Sequence, residues 1–385
     1  MGERAARYDL VNFRLRVGKA VAGVLITALA VACSEPSQAP TTLSDVTTSS
    51  APTTSTTGPS TTTSTTLPVD PPTVEAAFPQ NGVAAPVWDD EGYGEPEFAA
   101  TLASSADAGA SWVTLIPTWY QLEATSSTIY AENPGRTTSD EALVTAIREA
   151  KGLGMEVTLK PHVDLAEGGS RITIEPSVGE EWFDSYQEMI LHYARMAETE
   201  GVDQFIVGTE LGGTSDDSTA WRETIAVVRE EFTGPITYAA NHDEFEDVEF
   251  WDDLDFIGVD AYFPLSDTPT TIISNLRASW EPIVEDLAAT AEEYDRVVVF
   301  SEVGYPSQEG ATVQPYNPFY SDVPSQEEQA AALQAMIDAV TPHPWFGGFH
   351  WWMWFVEDSE EEATLSYMPE GKIAGDILAR HWAGE

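Results

Sequence analysis

One cysteine, Cys33, occurs in the 385 residues, which excludes an intrachain disulfide framework. Basic residues are also scarce: 17 Lys and Arg stand against 64 Asp and Glu, a formal net charge of −47. So acidic a surface repels a phosphate backbone and excludes nucleic acid as a partner. Most of this charge reads as a solvated face. No apolar run approaches the about 20 residues a membrane-spanning helix needs. No Gly-x-Ser-x-Gly elbow of a serine hydrolase occurs, and no Gly-rich phosphate loop follows the first expected strand. His162, Asp164 and His242 match no zinc-hydrolase spacing, so neither a metal nor a cofactor is expected.

What is present divides into three parts. Residues 1–19 carry Arg4, Arg7, Arg14, Arg16 and Lys19, and the apolar stretch Val21 to Ala32 follows. This has the build of a signal-peptide core. Leu29-Ala30-Val31-Ala32-Cys33 resembles a bacterial lipoprotein signal, in which the cysteine becomes the lipidated N-terminus. Ala30 departs from that pattern, where a leucine is usual, and a plain secretory leader is the alternative. Residues 34–75 are mostly Ser, Thr and Pro and cannot bury a core, so they read as a disordered tether. Extended, such a tether reaches about 100 Å. Residues 76–385 fit one barrel-sized domain, expected to be a monomer outside the cytoplasm.

Eight short apolar runs in that domain read as strands: 82–88, 111–118, 156–163, 204–210, 235–241, 255–263, 297–302 and 347–355. Helical stretches alternate with them. Ser139-Asp140-Glu141 supplies an N-cap and an acidic first turn. Leu143, Ile147 and Ala150 then share a face, and Gly152-Leu153-Gly154 stops the helix. Residues 181–200 and 325–340 show similar spacing. Eight such alternations predict an α/β fold, the (β/α)8 TIM barrel, ahead of a doubly wound open sheet.

In a barrel of this kind the chemistry lies at the C-terminal strand ends. The residues there are Trp88, Trp119, His162, Asp164, Glu210, Asn241, Asp260, Tyr262, Glu302, Trp352 and Trp354. Aromatic rings that stack on pyranoses, together with carboxylates, amides and imidazoles that bond hydroxyls, make a sugar cleft. Alternation sets Lys160, His162 and Asp164 on one face, toward the mouth. It likewise sets Glu210 inward with Gly208 and Ile206, and Glu302 with Phe300 and Gly304. Trp351 is expected against the helices, and Trp352 and Trp354 on the sugar side. Glu210 and Glu302 each close a buried run, where an ionised group is costly. Singly, each reads equally well as a rim ion pair. As a pair they suit a retaining glycosidase, which needs two carboxyl groups roughly 5 Å apart.

Five segments in order then carry a resemblance: Leu115-Ile116-Pro117-Thr118-Trp119-Tyr120-Gln121, Leu159-Lys160-Pro161-His162-Val163-Asp164, Gly208-Thr209-Glu210-Leu211, Gly258-Val259-Asp260-Ala261-Tyr262-Phe263-Pro264 and Ser301-Glu302-Val303-Gly304-Tyr305. Together they resemble glycoside hydrolase family 113, the β-1,4-mannanases of the clan A barrel type, from about Gly82 to Phe355. The resemblance implies Glu210 as acid/base, Glu302 as nucleophile and Tyr262 as the tyrosine that bonds the nucleophile. It implies a β-linked polysaccharide or oligosaccharide as substrate. Thr209 departs from the asparagine many clan members place there, leaving the sugar 2-hydroxyl to Asn241 or His162. Two rival expectations remain: a β-glucan or xylan substrate, and an inactive barrel that only binds glycan.

Overall fold

The computed structural model describes residues 76–355 and 364–384. Cys33, the leader and the 34–75 tether lie outside the described residues. Ten strands occur among them: β1 Gln80–Ala84, β2 Trp112–Leu115, β3 Thr118–Gln121, β4 Glu156–Leu159, β5 His162–Leu165, β6 Gln204–Thr209, β7 Ile236–Asn241, β8 Ile257–Asp260, β9 Val298–Val303 and β10 Phe346–Trp352. Eight close a parallel barrel in the order β1-β10-β9-β8-β7-β6-β4-β2, with β1 paired to both β2 and β10. The expected (β/α)8 barrel is therefore the observed fold.

The second and third expected strands each split. Pro117 and Pro161 lack the N–H that a ladder uses, and prolines are confined to such breaks. Beyond them the chains pair again as a separate parallel ladder, β3 with β5, from Thr118 opposite His162 to Gln121 opposite Leu165. Two barrel strands are thereby prolonged past the rim.

Helices α1 Pro96–Asp107, α2 Asp140–Gly152, α3 Gly179–Glu200, α4 Ser218–Glu231, α5 Ile273–Tyr294, α6 Gln326–Val340 and α7 Ile373–Trp382 surround the sheet. Between β7 and β8 stands only a single 3-10 turn, Trp251–Asp253, capped off by burial of Trp251. Side chains satisfy the orphan amides at three helix starts. Ser139 accepts from the Ala142 amide, Asp217 from Ala220 and Ser325 from Glu328.

Two internal features fix the strands that matter. Behind β6 and β7, Trp182 stacks on Tyr186 with centroids 4.9 Å apart, and Trp221 meets Tyr238 at 5.1 Å and Phe250 at 5.7 Å. Inside the barrel, His350 lies 2.7 Å from Thr114 Oγ1 and 2.9 Å from Gln80 Oε1, and Gln80 donates to Gln204 Oε1 at 2.7 Å. The Gln80 carbonyl oxygen can only accept, so His350 carries its proton on Nε2. Burial, and secondarily the Lys160 charge, push the His350 pKa down to about 3.

Candidate active site

The mouth of the barrel is organised by a buried ammonium. Lys160 has no solvent exposure. Its Nζ donates to both Asp260 carboxylate oxygens at 2.8 Å and to Glu302 Oε1 at 2.6 Å. Burial works against the charge, but Asp260 and Glu302 hold the lysine pKa above its ordinary value. Asp260 also accepts from Ser301 Oγ at 2.8 Å. Burial, aided by the Glu302 charge and opposed by Lys160, pushes Asp260 well up.

Glu302 is pinned at both oxygens. Lys160 holds Oε1, and the Tyr262 hydroxyl donates to Oε2 at 2.8 Å. Burial first, and the Glu302 charge next, raise the Tyr262 pKa far above the ordinary phenol value, so the hydroxyl keeps its proton and stays a donor. His162 Nε2 lies 3.8 Å from Glu302 Oε1, beyond hydrogen-bond reach, and has no partner. Burial and the charges of Arg171 and Lys160 keep that imidazole neutral. Thr209 Oγ1 is likewise buried without a partner.

Glu210 follows the last residue of β6 at φ 51°, a left-handed conformation uncommon outside glycine and characteristic of functional sites. The turn is held from behind. The Leu211 amide donates to the Tyr238 hydroxyl at 2.8 Å, and that hydroxyl donates to Glu244 Oε1 at 2.7 Å. Glu244 Oε2 accepts from the Asn241 amide at 2.9 Å. Arg171 faces the Glu210 carboxylate: Nη1 lies 2.8 Å from Oε2, while Nε and Nη2 bond Asp164 Oδ1 at 3.0 and 2.7 Å. Burial raises the Glu210 pKa. The Glu302 charge adds to the rise, and Arg171 and Lys160 oppose it. One carboxyl inclined to hold a proton thus lies within the field of another held by two donors, which is the electrostatic arrangement for acid-assisted displacement.

Lys160, Tyr262 and Glu302 share one hydrogen-bonded cluster with Asp260, Asp164 and Glu210 share a second around Arg171, and His162 lies beside the first without a bond to it. The Asn241 side chain bonds instead to Asp243, Nδ2 to Oδ1 at 2.6 Å. Trp88 and Trp352 are half-buried after β1 and at the end of β10. Trp119 and Trp354 turn elsewhere. The Trp119 indole donates to the Tyr193 hydroxyl of α3 at 2.9 Å. Trp354 is 2% exposed, donates to Ser104 of α1 at 2.7 Å and lies beside Trp382 of α7. Alternation fails for Trp354 because β10 ends at Trp352, and period two has no meaning past the ladder. Trp351 is fully buried, and its indole donates to the Tyr367 carbonyl. Arg171 was missed by strand-end reasoning because it lies on the short turn Arg171–Thr173. The available signal was a lone arginine after Gly168-Gly169-Ser170, in a chain with few basic residues.

The model of Glycoside Hydrolase Family 113 matches residues 88–372. Among solved structures the chain is similar to a GH113 beta-mannanase, AaManA from Alicyclobacillus acidocaldarius, in complex with ManMIm. Identity is 32% over 80% of this chain and 98% of that one, with a TM-score of 0.73. A complex of a GH113 beta-1,4-mannanase is 27% identical over 80% of this chain and 99% of its own, with a TM-score of 0.72. A beta-glucuronidase from Ruminococcus gnavus, 12% identical over 79% of this chain and 50% of its own with a TM-score of 0.54, shares the fold alone. No curated protein matches the chain by sequence.

Proposed function

The chain belongs to glycoside hydrolase family 113 and is an O-glycosyl hydrolase, and we propose that it cleaves β-1,4-linked mannan or manno-oligosaccharides with retention of configuration. The observation that carries this reading is the unequal treatment of two carboxyls at one barrel mouth. Glu302 is fixed at both oxygens by Lys160 and Tyr262, while Glu210 is biased toward its protonated form. The mannan assignment draws on the neighbours that are β-mannanases.

In the first step a Glu302 oxygen attacks the anomeric carbon. Glu210 gives its proton to the glycosidic oxygen as that bond breaks, and the leaving chain departs as the alcohol. In the glycosyl-enzyme the Glu302 carboxyl is an ester and carries no charge. Removal of that charge lowers the Glu210 pKa, and Arg171 favours the carboxylate further. Glu210 then takes a proton from water, the water oxygen attacks the anomeric carbon, and Glu302 leaves as a carboxylate. His162 and Thr209, each presenting a buried polar atom without a partner, are placed to receive hydroxyls of the bound sugar, since such atoms are costly unless a ligand pairs them.

Glu302→Ala and Glu210→Ala are expected to lose on the order of 10³-fold or more in turnover of mannan oligosaccharides, the scale of losing a nucleophile or a proton donor. Near-native turnover by either variant would sink the assignment. Outside the barrel, the reading extends to a lipid-anchored enzyme beyond the cytoplasmic membrane, on the strength of residues 1–75.

A further inference from the structure

Tyr316, in the segment between β9 and α6, leaves 50% of its surface exposed, yet its surroundings are fastened. The neighbouring Pro315 carbonyl accepts from the Tyr367 hydroxyl at 2.5 Å, and the Asn317 carbonyl accepts from Gln308 Nε2 at 2.8 Å. Further back, the Glu328 carboxylate of α6 accepts from the amides of Gly310 and Thr312, each at 3.0 Å. The Tyr316 ring lies parallel to the imidazole of His242, with centroids 5.9 Å apart and 16° between the planes. His242 meets Phe263 edge-on at 5.6 Å.

These contacts fix where the ring pair stands. His242 directly follows the last residue of β7 and lies with Nδ1 3.0 Å from Asn241 Oδ1. Phe263 directly follows Tyr262, whose hydroxyl holds Glu302. Tyr367, which fastens Pro315, flanks Tyr262 with centroids 6.5 Å apart. The stacked pair therefore stands on the rim beside the nucleophile's own supports. Isolated exposed aromatics are common on protein surfaces. This one is set apart by a rigid seat, a partner ring behind it and a position at the mouth of a glycosidase. A pyranose offers one face of C–H groups that packs on such a ring, and a ring already immobilised forfeits little entropy on binding.

We propose that Tyr316 and His242 form a pyranose-stacking subsite on the rim, taking a sugar unit of the β-linked chain beyond those that flank the cleaved bond. The proposal rests on the glycan-hydrolase reading and adds to it where a longer chain is gripped. The test compares wild type, Tyr316→Ala and Tyr316→Phe on an aryl β-mannoside and on β-1,4-manno-oligosaccharides from the disaccharide to the hexasaccharide. Tyr316→Ala should lower kcat/KM on the hexasaccharide about tenfold, mainly through KM, with losses that shrink as the chain shortens, and Tyr316→Phe should restore most of it. A loss equal at every length, or none at any, overturns the subsite.

The same series in gluco- and xylo-oligosaccharides separates the two readings. If wild type turns over only one of those, the mannan assignment falls, and the length dependence is read on the accepted series. If no chain is turned over, affinity electrophoresis in gels containing mannan, glucan or xylan decides. Stronger retardation of wild type than of Tyr316→Ala upholds the subsite, and equal mobility overturns it.

Discussion

Arg171 places a permanent positive charge 2.8 Å from Oε2 of Glu210, the carboxyl that carries a proton in the first step of the proposed mechanism. Burial wins over this charge, and the Glu210 pKa stands above the ordinary carboxylate value. Arg171 therefore limits a rise that burial and Glu302 would drive further, which in the proposed mechanism keeps Glu210 able to act as base in the second step. Arg171→Gln is expected to raise the Glu210 pKa. The acid form then persists to higher pH, so the alkaline limb of the kcat/KM profile moves upward. Deglycosylation slows in turn, because the base form becomes scarcer at a given pH. A measured profile with its alkaline limb in the native position would refute this role. Glu210 and Glu302 were legible because each closes a short β-branched run, whereas Arg171 lies on a turn with no periodicity to reveal it. Asp164 was legible only as one of a polar trio, and its bond to Arg171 required the three-dimensional path of that turn.

Strand by strand, the sequence pattern located all eight barrel members, since each is a short apolar run bounded by turn residues. It did not foresee the two breaks. Pro117 and Pro161 were in view, but whether a strand ends at a proline or resumes beyond it depends on the neighbouring ladder. Nor did it foresee the irregularity in β6. Alternation sets Gly208 on the same side as Glu210, yet the register between β6 and β7 shifts between Ile206 and Thr209. A side chain at Gly208 would point at the helix layer, 2.5 Å from a Trp221 ring carbon and 2.7 Å from Tyr238. Such a shift turns Gly208 away from the expected face and leaves no trace in a period-two pattern, while Glu210, at φ 51° beyond the strand, no longer follows that period. Gly208→Ala should then overpack the aromatic stack behind the strand that leads to Glu210, at about 1–3 kcal/mol. At about 2–4 °C per kcal/mol for a domain of this order, Tm should fall by several degrees in calorimetry. Turnover should fall with it, because Tyr238 carries the Leu211 amide. An unchanged Tm would show that the stack yields freely.

For the whole molecule, the net charge of −47 argues against a phosphate-backbone partner, and the lipid anchor proposed at Cys33 can be tested directly. Cys33→Ser should abolish incorporation of labelled palmitate into the protein and release it from the membrane fraction of the producing cell. Labelling that survives the change would point to a plain secretory leader. At this scale the barrel was legible from strand–helix alternation alone, while the ring pair on its rim, made by residues 242 and 316, was not.

The buried lysine at the centre of the mouth has a consequence for folding as well as for chemistry. Without Glu302, Lys160 is left with Asp260, a balanced pair. Without Lys160, Asp260 and Glu302 lose the one cation bonded to both, and breaking a buried pair of this kind costs on the order of 3–5 kcal/mol. The barrel therefore survives the loss of its reaction more easily than the loss of its lysine. On the proposed mechanism, a Glu302 variant would keep its fold while losing turnover, whereas a Lys160 variant would lose stability as well.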